Sequence, residues 1–288
     1  MPAIAICAPS RCLDPDDAAR VQAVAAAFPD ITLHFHPQCF LSAGHFAGTD
    51  AQRLAALTEC ANDPAFDAVW FARGGYGAAR IAEQALAQLG PAAQDKSYLG
   101  YSDAGTLLGG LYARGIGRPV HAPMPVDVRR AGGAAAIARA LGWLAGEFGG
   151  EEPGGEEPGL DQRPAAAFNL MTLAMLCGTD LMPDLTGHVV LVEEVAEHDY
   201  ALDRLFFHVT AQLTGIAGLR LGRVSDVPEN DVVFGHSAEQ IARHWCDQRA
   251  IPYLGRADIG HDAANKIVPF GLAGGALQTR RAGHRRSP

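Results

Sequence analysis

Over its first 124 residues the chain alternates short apolar runs with stretches of helical period, and this alternation restricts the fold more than any other feature. Residues 4–8 read as a strand that ends in the loop Pro9-Ser10, and residues 16–28 place Val21, Val24 and Phe28 at helical spacing. Residues 31–36 alternate as a strand does, 50–60 are helical, 67–72 form a short buried strand, and 76–89 are helical again. Residues 98–101 and 120–124 are further strands. Repeated βα units build a mostly parallel sheet covered by helices, and ligands of such sheets sit at the carboxyl ends of the strands. Arg73, Ser102 and His121 fall at or just past strand ends, where one crevice can hold all three.

A helix around residues 134–144 is followed by a repeated Gly/Glu/Pro run over 146–159, which cannot bury a core and reads as a linker or surface loop. The expected layout is an N-terminal α/β unit over 1–145, a linker over 146–164 and a second unit over 165–288. In the second unit 169–176 read as a helix, 188–193 as a strand and 200–213 as an amphipathic helix. Two glycine-rich extended stretches follow near 216–224 and 251–255, and short strands are expected from Ile267 on. The second unit is therefore expected to be a smaller α/β domain with mixed strands.

Composition narrows the function. With 48% hydrophobic and 19% charged residues the chain is globular, and a net charge of −9 disfavours nucleic acid or an anionic membrane as partner. The arginines Arg280, Arg281, Arg285 and Arg286 read as a solvated tail. The start of the chain lacks the basic-then-apolar form of a secretory leader, and its first apolar run is too short to span a bilayer. The six cysteines form no CxxC pair or metal-like spacing, so reduced thiols in the cytoplasm are expected and no metal site is implied.

The strand at 98–101 stops at Ser102, and a helical pattern through Leu107, Leu108 and Leu111 follows. A serine at a strand–turn–helix junction projects its hydroxyl above the sheet edge, beside an amide at a helix N-terminus. That suits an acyl-transfer nucleophile, although Gly105 falls one residue late for a G-x-S-x-G elbow and a Ser-Asp pair also reads as a helix cap. Upstream, Arg73-Gly74-Gly75-Tyr76-Gly77 ends a strand. It reads as a tight βα turn, a phosphate loop, or a source of oxyanion-hole amides; it lacks the G-x-G-x-x-G dinucleotide pattern.

A serine nucleophile needs a base, and a histidine base needs an orienting acid. Glu193 and Glu194 end an apolar strand, with Glu197 shortly after; each also reads as a solvated loop acid. Among His121, His188, His236 and His261, only His261 lies in a loop rich in special residues, from Gly260 through Asn265 and Pro269 to Gly271.

Taken in order, these motifs resemble the LD-carboxypeptidases of the S66 serine peptidase family, which includes muramoyl-tetrapeptide carboxypeptidases and the self-immunity enzymes that destroy microcin C. The resemblance rests on Ala8-Pro9-Ser10, Ala47-Gly48-Thr49-Asp50, Arg73-Gly74-Gly75-Tyr76-Gly77 and Gly100-Tyr101-Ser102-Asp103. It continues through Glu193-Glu194-Val195, Tyr200-x-x-Asp203-Arg204 and Gly260-His261 with Asn265, Pro269 and Gly271. It implies a flavodoxin-like parallel-sheet N-domain, a smaller C-domain, an interdomain active site, a homodimer and no cofactor. Ser102 would be the nucleophile, His261 the base and Glu193 the orienting acid, with Glu194 the second choice. The oxyanion hole would be the amides of Gly75 and Asp103. Arg73, Gly74 and Tyr76 are the substrate-binding candidates; by its charge and position Arg73 reads as a partner of the substrate carboxylate or as an ordinary surface salt bridge.

The implied reaction releases terminal D-alanine from a murein tetrapeptide in the cytoplasm. The alternatives are hydrolysis of an aminoacyl-nucleotide antibiotic and, from another class, non-catalytic binding of an anion. Four departures from the family pattern stand out: Thr106 comes one residue late, and the others are His121-Ala122-Pro123, Ala167-Phe168-Asn169-Leu170 and Val192-Glu193-Glu194. Ala122 and Phe168 are expected to add bulk at the substrate cleft, and Phe168 or Trp143 would be the platform for a nucleobase.

Overall fold

The computed structural model describes residues 1–146 and 163–272. Most of the expected linker and the four C-terminal arginines lie outside the described residues. The first part runs β1 (Ala3–Cys7), α1 (Pro15–Ala25), β2 (Thr32–Phe35), α2 (Asp50–Asn62), β3 (Ala68–Phe71), α3 (Ala82–Ala87) and β4 (Ser97–Gly100). It continues with α4 (Gly105–Ala113), β5 (Arg118–His121) and α5 (Gly133–Ala145). The helix expected over 76–89 is broken, because Gly77 adopts φ 145° and only a 3-10 turn, Ala78–Arg80, precedes α3.

The strands order as β2-β1-β3-β4-β5, all parallel. This is the flavodoxin-like order, whose direction of winding reverses between β1 and β3 and opens a crevice at the strands' carboxyl ends. Alternation along β1 explains the two-sided core: Ala5 and Cys7 join the cluster under α2, α3 and α4, while Ile4 and Ile6 join the one under α1 and α5.

The second part comprises β6 (Ala165–Asn169), α6 (Leu170–Leu176), β7 (Val189–Val195), α7 (Asp199–Gln212), β8 (Gly218–Ser225), α8 (Ala238–Gln248), β9 (Tyr253–Arg256) and β10 (Val268–Pro269). The two-part α/β layout is as expected, but the strand mixing is not where it was expected. Strands β6-β7-β8-β9 form a wholly parallel sheet, since a helical crossover joins each strand to the next. The antiparallel strand is β10, and it joins the first sheet, pairing Val268 with His121 and Pro269 with Val120. The end of the second part is thus stitched to the edge of the first.

One continuous apolar cluster unites the two parts, running from Leu107 and Leu108 of α4 to Phe168, Leu173 and Phe206. Glycines on α4 make the approach possible: a Cβ at Gly109 would stand 2.8 Å from a methyl of Leu176. Phe168 lies 1% exposed in this core, its ring 5.1 Å from that of Phe270. Replacing it with alanine leaves a cavity between the two parts. Phe168→Ala is expected to cost about 3–5 kcal/mol, read as a shift of the urea unfolding midpoint; an unchanged midpoint would contradict this packing.

Candidate active site

Ser102 follows β4 directly and opens the 3-10 turn Ser102–Ala104 that leads into α4. It holds φ 59°, a left-handed conformation that non-glycine residues rarely adopt and that costs on the order of 1–3 kcal/mol. The turn lifts the hydroxyl off the sheet edge. On one side Gly74 backs it closely: a Cβ there would lie 2.9 Å from the Ser102 Cβ and 3.0 Å from its Oγ. The Asp103 side chain points away from the cleft mouth, accepting hydrogen bonds from Ser10 Oγ and from the Ala78 amide at 2.9 Å. Burial raises its pKa, against the lowering effect of those two bonds. Its own amide lies in the first turn, where a main-chain N–H has no acceptor within the helix.

The glycine loop is fixed from below by Arg53, which is fully buried. Its guanidinium donates to the Pro9 carbonyl, to the Gly77 carbonyl at 2.8 Å, and to Asp50 of the Ala47-Gly48-Thr49-Asp50 motif. Gly75 at φ 109° and Gly77 at φ 145° take conformations that glycine alone adopts readily. The three N-terminal motifs therefore converge on one loop beside Ser102.

On β7, alternation sends Glu193 and Glu194 to opposite faces. Glu193 is fully buried and accepts a hydrogen bond from His261 Nδ1 at 2.6 Å. The register of β7 with β8 shifts between Val192 and Glu194, and Gly222 of β8 leaves room for the Glu193 side chain: a Cβ there would lie 2.9 Å from the Glu193 Cβ. Glu194 is turned toward α6, where it accepts from Asn169 Nδ2 at 2.7 Å, the Met171 amide at 2.7 Å and the Val195 amide at 2.9 Å. Burial pushes its pKa up to about 7 despite these bonds. The geometry therefore sets Glu193, not Glu194, behind the imidazole.

His261 lies between β9 and β10, and its Nε2 stands 3.0 Å from Ser102 Oγ. With Nδ1 donating to Glu193, Nε2 is left free to accept the serine proton. Burial alone would lower the His261 pKa, but the charge of Glu193, its hydrogen bond and the charge of Glu194 outweigh burial and raise it. Below the imidazole lies the ring of Tyr101, with centroids 4.9 Å apart, itself tied to Asp127 by a 2.8 Å hydrogen bond. From the second sheet, Arg223 pairs with Asp258 and Asp262, which flank the histidine.

Ser102 opens on a cleft of about 320 Å³, lined also by Asp103, Gly75 and Tyr76 from the first part and by Asn169, Met171, Glu194 and Glu197 from the second, among others; His261 stands behind Ser102 and does not line it. Arg73 does not line it. The Arg73 guanidinium donates to the Cys12 carbonyl at 3.3 Å, and burial together with nearby Arg11 and Arg129 lowers its pKa. Arg11, exposed, packs on Gly75, where an added Cβ would run into its Cδ; it does not line the cleft either.

The expected bulk at the cleft is absent. Ala122 and Phe168 are both buried in the core, and Trp143 packs near the amino ends of the strands with Pro2 and Ile4. Neither aromatic residue presents a face to the cleft. Of the other histidines, His188 bonds the Tyr112 hydroxyl at 2.7 Å, His236 is exposed, and His121 is buried beneath Tyr101. Among the described residues no group of three or more His, Cys, Asp or Glu side chains could hold a metal ion, and no helix is long and apolar enough to cross a membrane.

Because Gly74 touches Ser102, its substitution tests the hydroxyl's placement without altering any polar group. Gly74→Ala is expected to slow reaction of Ser102 with a fluorophosphonate probe by about a hundredfold, the cost of misplacing a reacting atom by about 1 Å. An unchanged rate in the folded variant would show that this contact does not position the hydroxyl.

The sequence and the fold have counterparts among known proteins. Over 245 residues the chain is 26% identical to a murein tetrapeptide carboxypeptidase from Pseudomonas aeruginosa, covering 79% of this chain and 78% of that protein. A crystal structure of a muramoyltetrapeptide carboxypeptidase from Oxalobacter formigenes superposes with a TM-score of 0.75 at 24% identity, covering 93% of this chain and 92% of that one. The microcin C7 self-immunity protein MccF superposes with a TM-score of 0.73 at 16% identity, covering 94% and 91%. At these identities the two structural likenesses establish the fold. Residues 4–122 match the LD-carboxypeptidase N-terminal domain and residues 166–274 the LD-carboxypeptidase C-terminal domain, and with both matched in order the chain belongs to the LD-carboxypeptidase family.

Proposed function

We propose that this protein is a serine hydrolase that cleaves an L,D amide bond and releases terminal D-alanine from a murein tetrapeptide in the cytoplasm, as a step of peptidoglycan recycling. The observation that carries the reading is the chain of contacts from Ser102 Oγ to His261 Nε2 at 3.0 Å and from His261 Nδ1 to Glu193 at 2.6 Å. His261 takes the serine proton as Oγ attacks the amide carbon, and Glu193 holds the imidazole in the required tautomer and offsets its positive charge. The negative charge on the carbonyl oxygen falls to the amides of Gly75 and Asp103. His261 then gives its proton to the departing D-alanine nitrogen, and water activated by the same imidazole hydrolyses the acyl-enzyme. The hydroxyl, imidazole and carboxylate supply this chemistry without a metal or organic cofactor.

Charge in the cleft supports a diamino acid as the acyl residue. Its ionisable side chains include Glu197, which would complement an ammonium group. Arg11, exposed and packed on the cleft residue Gly75, is the guanidinium we assign to the terminal carboxylate, which it would meet in two points. An aminoacyl-nucleotide substrate finds less support, since neither Phe168 nor Trp143 reaches the cleft. A homodimer remains part of the proposal on the family resemblance.

Incubation with tetrapeptide tests the reading. Wild type is expected to release D-alanine, and Ser102→Ala to lose about four to six orders of magnitude in kcat. Release of an aminoacyl product from an aminoacyl-sulfamoyl nucleotide but none from tetrapeptide would favour the antibiotic reading; binding without hydrolysis in both proteins would favour the anion-binding one. Arg11→Ala is expected to raise KM about tenfold with kcat within about twofold, the loss of one charged hydrogen-bonding partner.

The pH profile follows from the sign of the histidine shift. A raised His261 pKa means that imidazolium, which cannot accept the serine proton, persists above the ordinary histidine value of about 6.5. The acidic limb of kcat/KM is therefore expected above that pH. Glu193→Gln removes the stabilising charge while burial remains, so the limb is expected to move to lower pH together with a fall in kcat. A limb that stays in place would mean that Glu193 does not set the base.

A further inference from the structure

Two buried polar residues, His121 and Asn265, have no role in the scheme above, yet they join the two parts of the chain directly below the base. Both are fully buried. Asn265 follows His261 by four residues in the same loop, whereas His121 ends β5 of the first sheet. The Gly260 amide, which can only donate, bonds Asn265 Oδ1 at 3.0 Å, and this fixes which end of the Asn265 amide is oxygen. His121 Nε2 lies 3.0 Å from the same oxygen, so it too must donate. His121 is then the neutral Nε2–H tautomer, and burial, which lowers its pKa, keeps it so.

The arrangement has a cost that packing does not explain. Asn265 Nδ2 is buried with no partner, and a leucine of similar volume would avoid that penalty. What the asparagine provides is a single oxygen that holds the main chain immediately before His261 to a fixed point on the first sheet. Two other contacts act in the same sense. Arg139 of α5 donates to the Ala263 and Asn265 carbonyls, both at 3.0 Å, and β10 pairs with β5 at His121 itself. Ser102 stands at the end of β4, hydrogen-bonded in register to β5, with Gly100 opposite His121. The strand that carries His121 is therefore the ruler against which nucleophile and base are both placed.

We propose that His121 and Asn265 are a positioning pair for catalysis: the His121 Nε2–H···Oδ1 Asn265 hydrogen bond sets the distance from His261 Nε2 to Ser102 Oγ by tying the histidine loop to the nucleophile's own sheet. The pair touches neither substrate nor reacting atoms and acts through Gly260 and His261. It rests on the reading of Ser102 and His261 as nucleophile and base.

The test compares two substitutions of His121. In His121→Gln the new side chain offers an amide N–H near the Nε2 position, whereas in His121→Leu the space is filled without a donor. On the tetrapeptide, His121→Leu is expected to lose at least about tenfold in kcat with KM within about twofold, and to slow fluorophosphonate labelling of Ser102 in parallel. His121→Gln is expected to recover kcat to within about threefold of wild type even where its melting temperature falls as far as that of the leucine variant. Equal losses in the two variants, or a leucine variant within about threefold of wild type, would overturn the proposal. If His121→Leu does not fold, Asn265→Leu takes its place, with the same tenfold loss expected and near-wild-type kcat overturning the pair. His261→Ala separates the two levels: full activity there sinks the base itself and the pair with it, whereas inactivity there beside an unaffected His121→Leu sinks the pair alone.

Discussion

The proposed catalysis depends on a hydrogen bond between side chains far apart in sequence, Ser102 Oγ and His261 Nε2. Such a contact needs both ends fixed to a common frame, because a shift of about 1 Å at either end removes it. The frame is the first sheet. It holds Ser102 through β4, and it captures the end of the second part through β10, the one antiparallel strand in a sheet otherwise wound parallel. The histidine loop is suspended between that capture point and β9, with Arg223 gripping its flanking aspartates from the second sheet. His261 belongs to the second half of the sequence, and its loop is held from both sides: by Glu193 and Arg223 of the second part and by Arg139 and the β5–β10 pairing of the first.

Strain and burial at the site are arranged to the same end. Ser102 sits in a left-handed conformation that the turn, the close contact with Gly74 and the Asp103–Ser10 hydrogen bond together enforce. Glu193 lies wholly out of water, with one carboxylate oxygen on His261 and the other without a protein partner. In that low-dielectric setting its charge acts strongly on the imidazole, which is why the His261 pKa rises although the ring itself is buried. Glu194, one residue on, shows what happens on the other face of the strand: three hydrogen bonds do not offset its burial, and its pKa climbs to about 7.

Much of the fold was legible because it is written in period. The βα alternation of the first part produces the parallel sheet, and the apolar run that stops at Ser102 produces the turn. What could not be read lacked a periodic signal. Strand β6 is largely alanine, and three small residues in a row favour no particular structure. Helix α8 has a narrow apolar stripe at Ile241, Ala242 and Cys246 within a polar sequence, although the capping box at Ser237 and Gln240 marks its start. Strand β10 is among the short strands expected from Ile267 on, but nothing in two residues announces that its partner is β5, a strand from the far part of the chain. At the site, residue types and motif order pointed to Ser102, His261 and the Glu193-Glu194 pair, while the choice between the two acids required the alternation of β7 in three dimensions. The direction of the Arg73 side chain, toward the Cys12 carbonyl, and the packing of Arg11 on Gly75 had no sequence signal, because position after a strand does not say where a long side chain turns and Arg11 is remote from Gly75 in sequence.

The most direct measurement of the central claim is rapid-quench mass spectrometry of the enzyme during turnover of a tetrapeptide. An acyl adduct on the peptide that contains Ser102, absent in Ser102→Ala and absent again in His261→Ala, which lacks the base needed to form it, is the expected result. Turnover with D-alanine release but with no adduct, or with an adduct on another residue, would contradict the account.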